Sequence, residues 1–227
     1  MKKILYTFSV ILCAVLFSAV NGTSGKPFEG VITYKITYPD SKFSESQMAM
    51  FPKQMTISIK GAKSRQDMQM GGVNSVEITD YMDKTKIMLI NAMGQKYAIK
   101  QTTAEIEKAM EKDAKSTVEL SGETKLIAGY TCKKANITVN DDGVKSAIEV
   151  WYSNELGSKA ANFDNALYKD IDGVMLDFIV KNRDVNMKFT ATSVEKKSLS
   201  AKDFEIPSDY TLTTQEELKS KFGGGNE

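Results

Sequence analysis

Histidine is missing from all 227 residues of this chain. Ser-His-Asp and Cys-His constellations are therefore excluded, and so is the commonest ligand of catalytic zinc. Carboxylate pairs and Ser-Lys arrangements are the catalytic chemistry left. Cysteine is scarce as well, with only Cys13 and Cys132. Cys13 sits in the leading apolar run, so Cys132 is alone in the rest of the chain and has no internal disulfide partner. It lies in the strand-like Tyr130-Thr131-Cys132, where no histidine can lower its pKa, and reads as a buried structural thiol rather than a reactive or bridging one. Excess charge of one sign is also absent, at 30 basic against 29 acidic residues. No basic surface points to nucleic acid or an anionic membrane face. With 4 prolines and no linker rich in Pro, Gly or Ser through the middle, nothing divides the chain into separate domains.

What is present begins with Lys2 and Lys3, an apolar run from Ile4 to Val20, and the small-residue exit Val20-Asn21-Gly22. This is the anatomy of a secretory signal peptide over residues 1–22. The run falls short of the about 20 apolar residues a spanning helix wants and is broken by Tyr6, Thr7, Ser9 and Ser18. Lipidation at Cys13 is the competing reading. Leu12 stands where a small residue is needed, and the apolar run continues through Ala14-Val15-Leu16-Phe17, so cleavage near Gly22 is expected, with a periplasmic or secreted destination. No later stretch reaches spanning length, and the mature protein is expected to lack a transmembrane span.

The remainder alternates with a period of two. Ile32, Tyr34, Ile36 and Tyr38 are interleaved with Val31, Thr33, Lys35 and Thr37, and Met55, Ile57 and Ile59 with Thr56, Ser58 and Lys60. Both patterns predict half-buried strands. Lys63 to Met70 reads as a more polar strand, followed by a meander over Val73 to Tyr81, Lys86 to Asn91 and Gln95 to Lys100. Helical spacing predicts a helix over Thr103 to Ala114 with Thr103 as its cap, and a second over Ser158 to Tyr168. Strands resume at Val118 to Leu120, Lys125 to Ala128 and Tyr130 to Val139, turning at Asn140-Asp141-Asp142-Gly143 into Ala147 to Tyr152. Val174 to Val180 should pair antiparallel with Val185 to Ala191 through Lys181 to Asp184. A short helix is expected from Thr213 or Thr214 through Leu218. The expected fold is mainly β with a few helices: about ten or eleven strands in a strongly curved antiparallel sheet or open β-barrel covered by helices. It forms one domain over 23–222, with a disordered tail over 223–227.

Four stretches carry a family resemblance: Phe28-Glu29-Gly30, Thr124 through Ala135, Val150-Trp151-Tyr152 with Leu156-Gly157, and Phe204-Glu205-Ile206-Pro207-Ser208-Asp209-Tyr210. Together they resemble the uncharacterised exported bacterial "domain of unknown function 4412" family over nearly the whole mature chain. The strand and helix order is also similar to lipoprotein-carrier (LolA/LolB-like) open barrels. These motifs are turns and aromatic positions, and the resemblance assigns no catalytic residue.

An open barrel with an apolar inner face is either plugged or keeps room for a guest. Its methionines favour room, because thioether side chains adapt to irregular surfaces. Met55, Met88, Leu176, Phe178, Met187 and Phe189 are the expected lining of a site for a lipid or other hydrophobic small molecule. The alternative is a structural or protein-interaction module of the cell envelope, with a protein partner and no small ligand. Met48-Ala49-Met50 and Met68-Gln69-Met70 read as pairs on strand faces that could hold Cu(I), but an ordinary methionine-rich core explains them better. Asp141-Asp142 and Asp170 with Asp172 read as turn residues, and one of Trp151 and Tyr152 must face the core. No metal, cofactor or catalytic activity is expected. Mass spectrometry of the exported protein should find a mature N-terminus near Thr23; a diacyl mass on Cys13 would contradict this processing.

Overall fold

The computed structural model describes residues 27–111, 115–141, 144–181 and 185–222. The expected signal segment with Cys13, the expected turn at Asp142-Gly143, the expected connection at Arg183-Asp184 and the expected tail over 223–227 lie outside the described residues. Twelve strands form a single sheet: β1 Glu29–Thr37, β2 Gln54–Lys60, β3 Lys63–Met70, β4 Val73–Asp80, β5 Thr85–Ala92, β6 Gln95–Gln101, β7 Lys115–Ile127, β8 Tyr130–Asp141, β9 Val144–Ser153, β10 Val174–Lys181, β11 Asn186–Lys196 and β12 Thr211–Leu212. Their order is β12-β6-β5-β4-β3-β2-β1-β11-β10-β9-β8-β7, an open sheet with β1 hydrogen-bonded to β11 at its middle. Every pairing is antiparallel except the short β12 against β6. The helices are α1 Glu45–Met48, α2 Thr103–Met110 and α3 Gln215–Phe222.

Alternation in the sequence sorts side chains onto the two faces of this sheet. Ile32 faces Ile57, Tyr34 faces Met55 and Ile36 faces Phe189 across the ladders, which places these residues on the inner face. Phe178 is opposite Phe189, which puts both rings on that same inner face, consistent with the alternation in the two strands. Tyr34, Tyr168, Phe178 and Phe189 make the aromatic floor of the core: Phe178 stacks on Phe189 at 4.9 Å and meets the other two rings edge-on at 6.1 Å. Such pairs add to the burial of their area. The outer face of β4 to β6 is apolar too. Val76 faces Leu89, which faces Ala98, and Phe204 from a 3₁₀ turn at Ala201–Phe204 closes over them.

The sheet curls. Lys86 on β5 bonds Asp164, from the connection between β9 and β10, at 2.8 Å, although six steps of the strand order separate β5 from β10. Tyr34 on β1 likewise donates to the Met175 carbonyl of β10 at 2.9 Å, reaching across β11.

Several expected elements take a different form. β7 is one strand of 13 residues with a register shift between Leu120 and Thr124, where two strands were expected. Thr102, not Thr103, caps α2, in a capping box with Glu105. The helix expected over Ser158 to Tyr168 is reduced to a 3₁₀ turn at Lys159–Asn162. Asparagine chemistry explains this: Asn162 donates to the carbonyls of Ile171 and Gly173, and Asn165 accepts from the Leu167 amide. Side chains that bond nearby backbone compete with helix continuation. Met48 and Met50 are in and just after α1, not on a strand, so the expected thioether pair on a strand face does not form.

The Phe28-Glu29-Gly30 stretch has a packing role. A Cβ on Gly30 would stand 2.2 Å from the Glu195 carbonyl oxygen, closer than any real contact, while Glu29 accepts hydrogen bonds from Lys60 and from the Leu199 amide. Gly30→Ala should therefore lower stability by at least about 1–3 kcal/mol through overpacking. Urea unfolding checks this, and an unchanged midpoint would contradict it.

Candidate functional site

Curling of the sheet leaves a cavity of about 320 Å³ between β2 and β3 on one side, β10 and β11 on the other, and the 158–173 connection above. Its apolar wall comes from inner-face positions: Met55 and Ile57 on β2, Phe178 and Val180 on β10, Met187 and Phe189 on β11. Met68 and Met175 extend it. Four flexible thioethers thus surround a rigid aromatic floor, an arrangement able to fit guests of varied outline.

Of the residues expected to line a site, Met55, Phe178, Met187 and Phe189 come together here. Leu176 and Met88 do not. Leu176 is fully buried in the core, because the register shift between Met175 and Asp177 turns Met175 toward the cavity in its place. Met88 shares the inner face, opposite Glu77 and Ile99, but lies on β5, two strands beyond β3 in the sheet.

A second wall was not anticipated and is polar. Ser64 and Gln66 on β3 and Tyr81 after β4 face Asn162, Asp164 and Asn165 of the connection. The signal available for Gln66 was a polar residue opposite Ile57 on an otherwise apolar inner face. Asp164 shares the Lys86 ammonium with Glu77, at 2.8 and 2.9 Å. Burial alone would lower the Lys86 pKa; the Glu77 and Asp164 carboxylates outweigh it and hold the ammonium above the ordinary lysine range. Burial pushes the Tyr81 phenol up to about 12, against a smaller opposing effect of the Ser64 hydroxyl.

Cys132 is fully buried, and burial pushes its thiol up to about 11, partly opposed by Lys125. Such a thiol is protonated at neutral pH and is a poor nucleophile. Trp151 lies beneath Lys125, whose Nζ is 4.2 Å from the ring centroid, and its Nε1 donates to Glu149 at 2.8 Å. Its face is covered and offers no open platform for a sugar ring. Among the described residues, no cluster of three or more acidic or cysteine side chains is arranged to hold a metal. No helix of the described residues is long and apolar enough to cross a membrane.

One family model matches residues 32–216, from β1 into α3 and so across the whole sheet and cavity. The chain belongs to the N-glycanase peptide, N-terminal domain family. Comparison with curated proteins gives no match. Among solved structures, the chain is similar to a beta-barrel-like protein of domain of unknown function DUF1849 from Brucella abortus. The two share 9% identity at a TM-score of 0.39, over 76% of this chain and 99% of that one. A likeness this distant carries no argument about the site of this N-glycanase N-terminal domain relative.

Burial raises the Cys132, Tyr81 and Tyr168 pKa values to about 11, 12 and 12, against about 8.5 and 10 in an unfolded chain. The unfolded state therefore loses these protons first, so their stabilising effect is complete below about pH 8.5 and disappears as pH rises through the folded values. Urea midpoints should fall steadily between pH 8 and 11, and Cys132→Ala should flatten the first part of that fall. A constant midpoint up to pH 11 would contradict the burial of these groups.

Proposed function

We propose that this chain is an exported, non-catalytic binding module that holds a hydrophobic small molecule or an acyl chain in the cavity of its curled sheet. The observation that carries the reading is the pairing of a preformed apolar wall with four adaptable methionines, in a volume within the lower range of small-molecule sites. Export is supported by the signal-like segment over residues 1–22 and by the resemblance to the exported "domain of unknown function 4412" family. The likeness in strand order to lipoprotein carriers favours the same kind of guest, while fold alone does not assign function.

The family's description names an N-terminal domain of an N-glycanase. We read the shared part as a binding element rather than hydrolytic machinery. The chain has no histidine, its buried thiol is held protonated, and Asp164 and Glu77 are engaged by Lys86.

Protein purified from its native envelope should carry a co-purifying apolar compound, read by native mass spectrometry and solvent extraction. Met187→Glu should abolish that cargo, because an unpaired carboxylate in an apolar wall is costly to desolvate, while circular dichroism shows the fold retained. A cargo-free native protein that takes up no apolar compound would overturn the reading in favour of an envelope interaction module.

A further inference from the structure

The polar wall restricts which hydrophobic guest can enter. Asp164 is the one carboxylate or ammonium among the residues that line the cavity. Its counter-ion, Lys86, is shared with Glu77, so two carboxylates meet one ammonium and the cluster carries a net charge of about −1. No cation of the lining is left over for an anionic head group. Two neutral groups are left over. The Gln66 side chain makes no hydrogen bond among the described residues, and Asn165 uses its Oδ1 on the Leu167 amide, with no acceptor for its Nδ2 among them. Both belong to the polar wall, across from Phe178 and Met187.

From this we infer that the cavity selects an uncharged amphiphile: an alkyl or acyl chain against the Phe178, Phe189 and Met187 wall, with a hydroxyl or amide head hydrogen-bonded to Gln66 and Asn165. The inference rests on the binding-module reading and narrows its ligand class. A fatty-acid carboxylate or a phosphate monoester would lie beside the Asp164–Glu77 pair in a partly desolvated site, where like charges repel strongly. A quaternary ammonium would meet the net negative charge of a cluster that Lys86 already engages, but offers neither donor nor acceptor to Gln66 and Asn165, so their amides would exchange water for methyl groups.

Calorimetric titration of the mature protein at pH 8 with three C12 probes tests this: 1-monolauroylglycerol, laurate and dodecyltrimethylammonium, each below its micellar concentration. The neutral probe should bind about tenfold or more tightly than either charged one. Gln66→Lys, which places a cation in the polar wall of a half-exposed strand position, should reverse the order of monolauroylglycerol and laurate. Unchanged thermal unfolding would establish that this variant is folded. Laurate or dodecyltrimethylammonium binding as tightly as the neutral probe would overturn the inference and leave the binding-module reading standing. Absence of binding by all three would overturn both.

Discussion

Lys86 is the constraint on which the rest of the site depends. Its ammonium joins β4 and β5 to the 158–173 connection through Glu77 and Asp164, and thereby holds together parts of the sheet that are far apart in strand order. A partly buried ion cluster of this kind gives less net stability than its Coulomb attraction suggests, because desolvation opposes it. Its contribution here is geometric. With the connection held above the inner face, the space between β2, β3, β10 and β11 is roofed.

The two faces of the sheet follow from that curl. Inner-face positions of β1, β2, β8, β9, β10 and β11 bury one continuous apolar core. The same face turns polar at β3, where Ser64 and Gln66 replace the apolar partners of their neighbours. On the opposite face, β4, β5 and β6 take their cover from Phe204, Leu199, Ile206 and Tyr210 of the C-terminal segment. The Phe204 to Tyr210 stretch is thus a lid over a small outer core, and Arg65 secures it by donating to the Asp203 carbonyl at 2.9 Å. An apolar inner face that is filled on one side and polar on the other is what leaves an amphipathic cavity.

Much of this architecture was legible in the sequence, where one physical rule acted alone. Alternation marked β1, β2, β10 and β11 and the antiparallel pairing of the last two, because side chains of a strand can face only two ways. It missed what depends on deviations from that rule. The bulge beside Leu176 exchanged it for Met175 at the cavity, and nothing in Val174 to Val180 marks that shift. α1 has no apolar periodicity; its only signal is the capping box of Ser44 and Gln47. The polar wall was hidden for a different reason: Asp164 and Asn165 fall where helical spacing was expected, and only the curl of the sheet brings them opposite Gln66.

The central claim, that a guest occupies the space under the 158–173 connection, is most directly tested by ¹³C-methyl NMR of labelled methionine. Met55, Met68, Met175 and Met187 line the cavity, whereas Met93, on the turn between β5 and β6, is outside that lining and fully exposed, at 100%. Addition of 1-monolauroylglycerol should shift the four cavity methyls together and leave Met93 in place. Cavity methyls that stay unmoved while exposed ones shift would contradict the account.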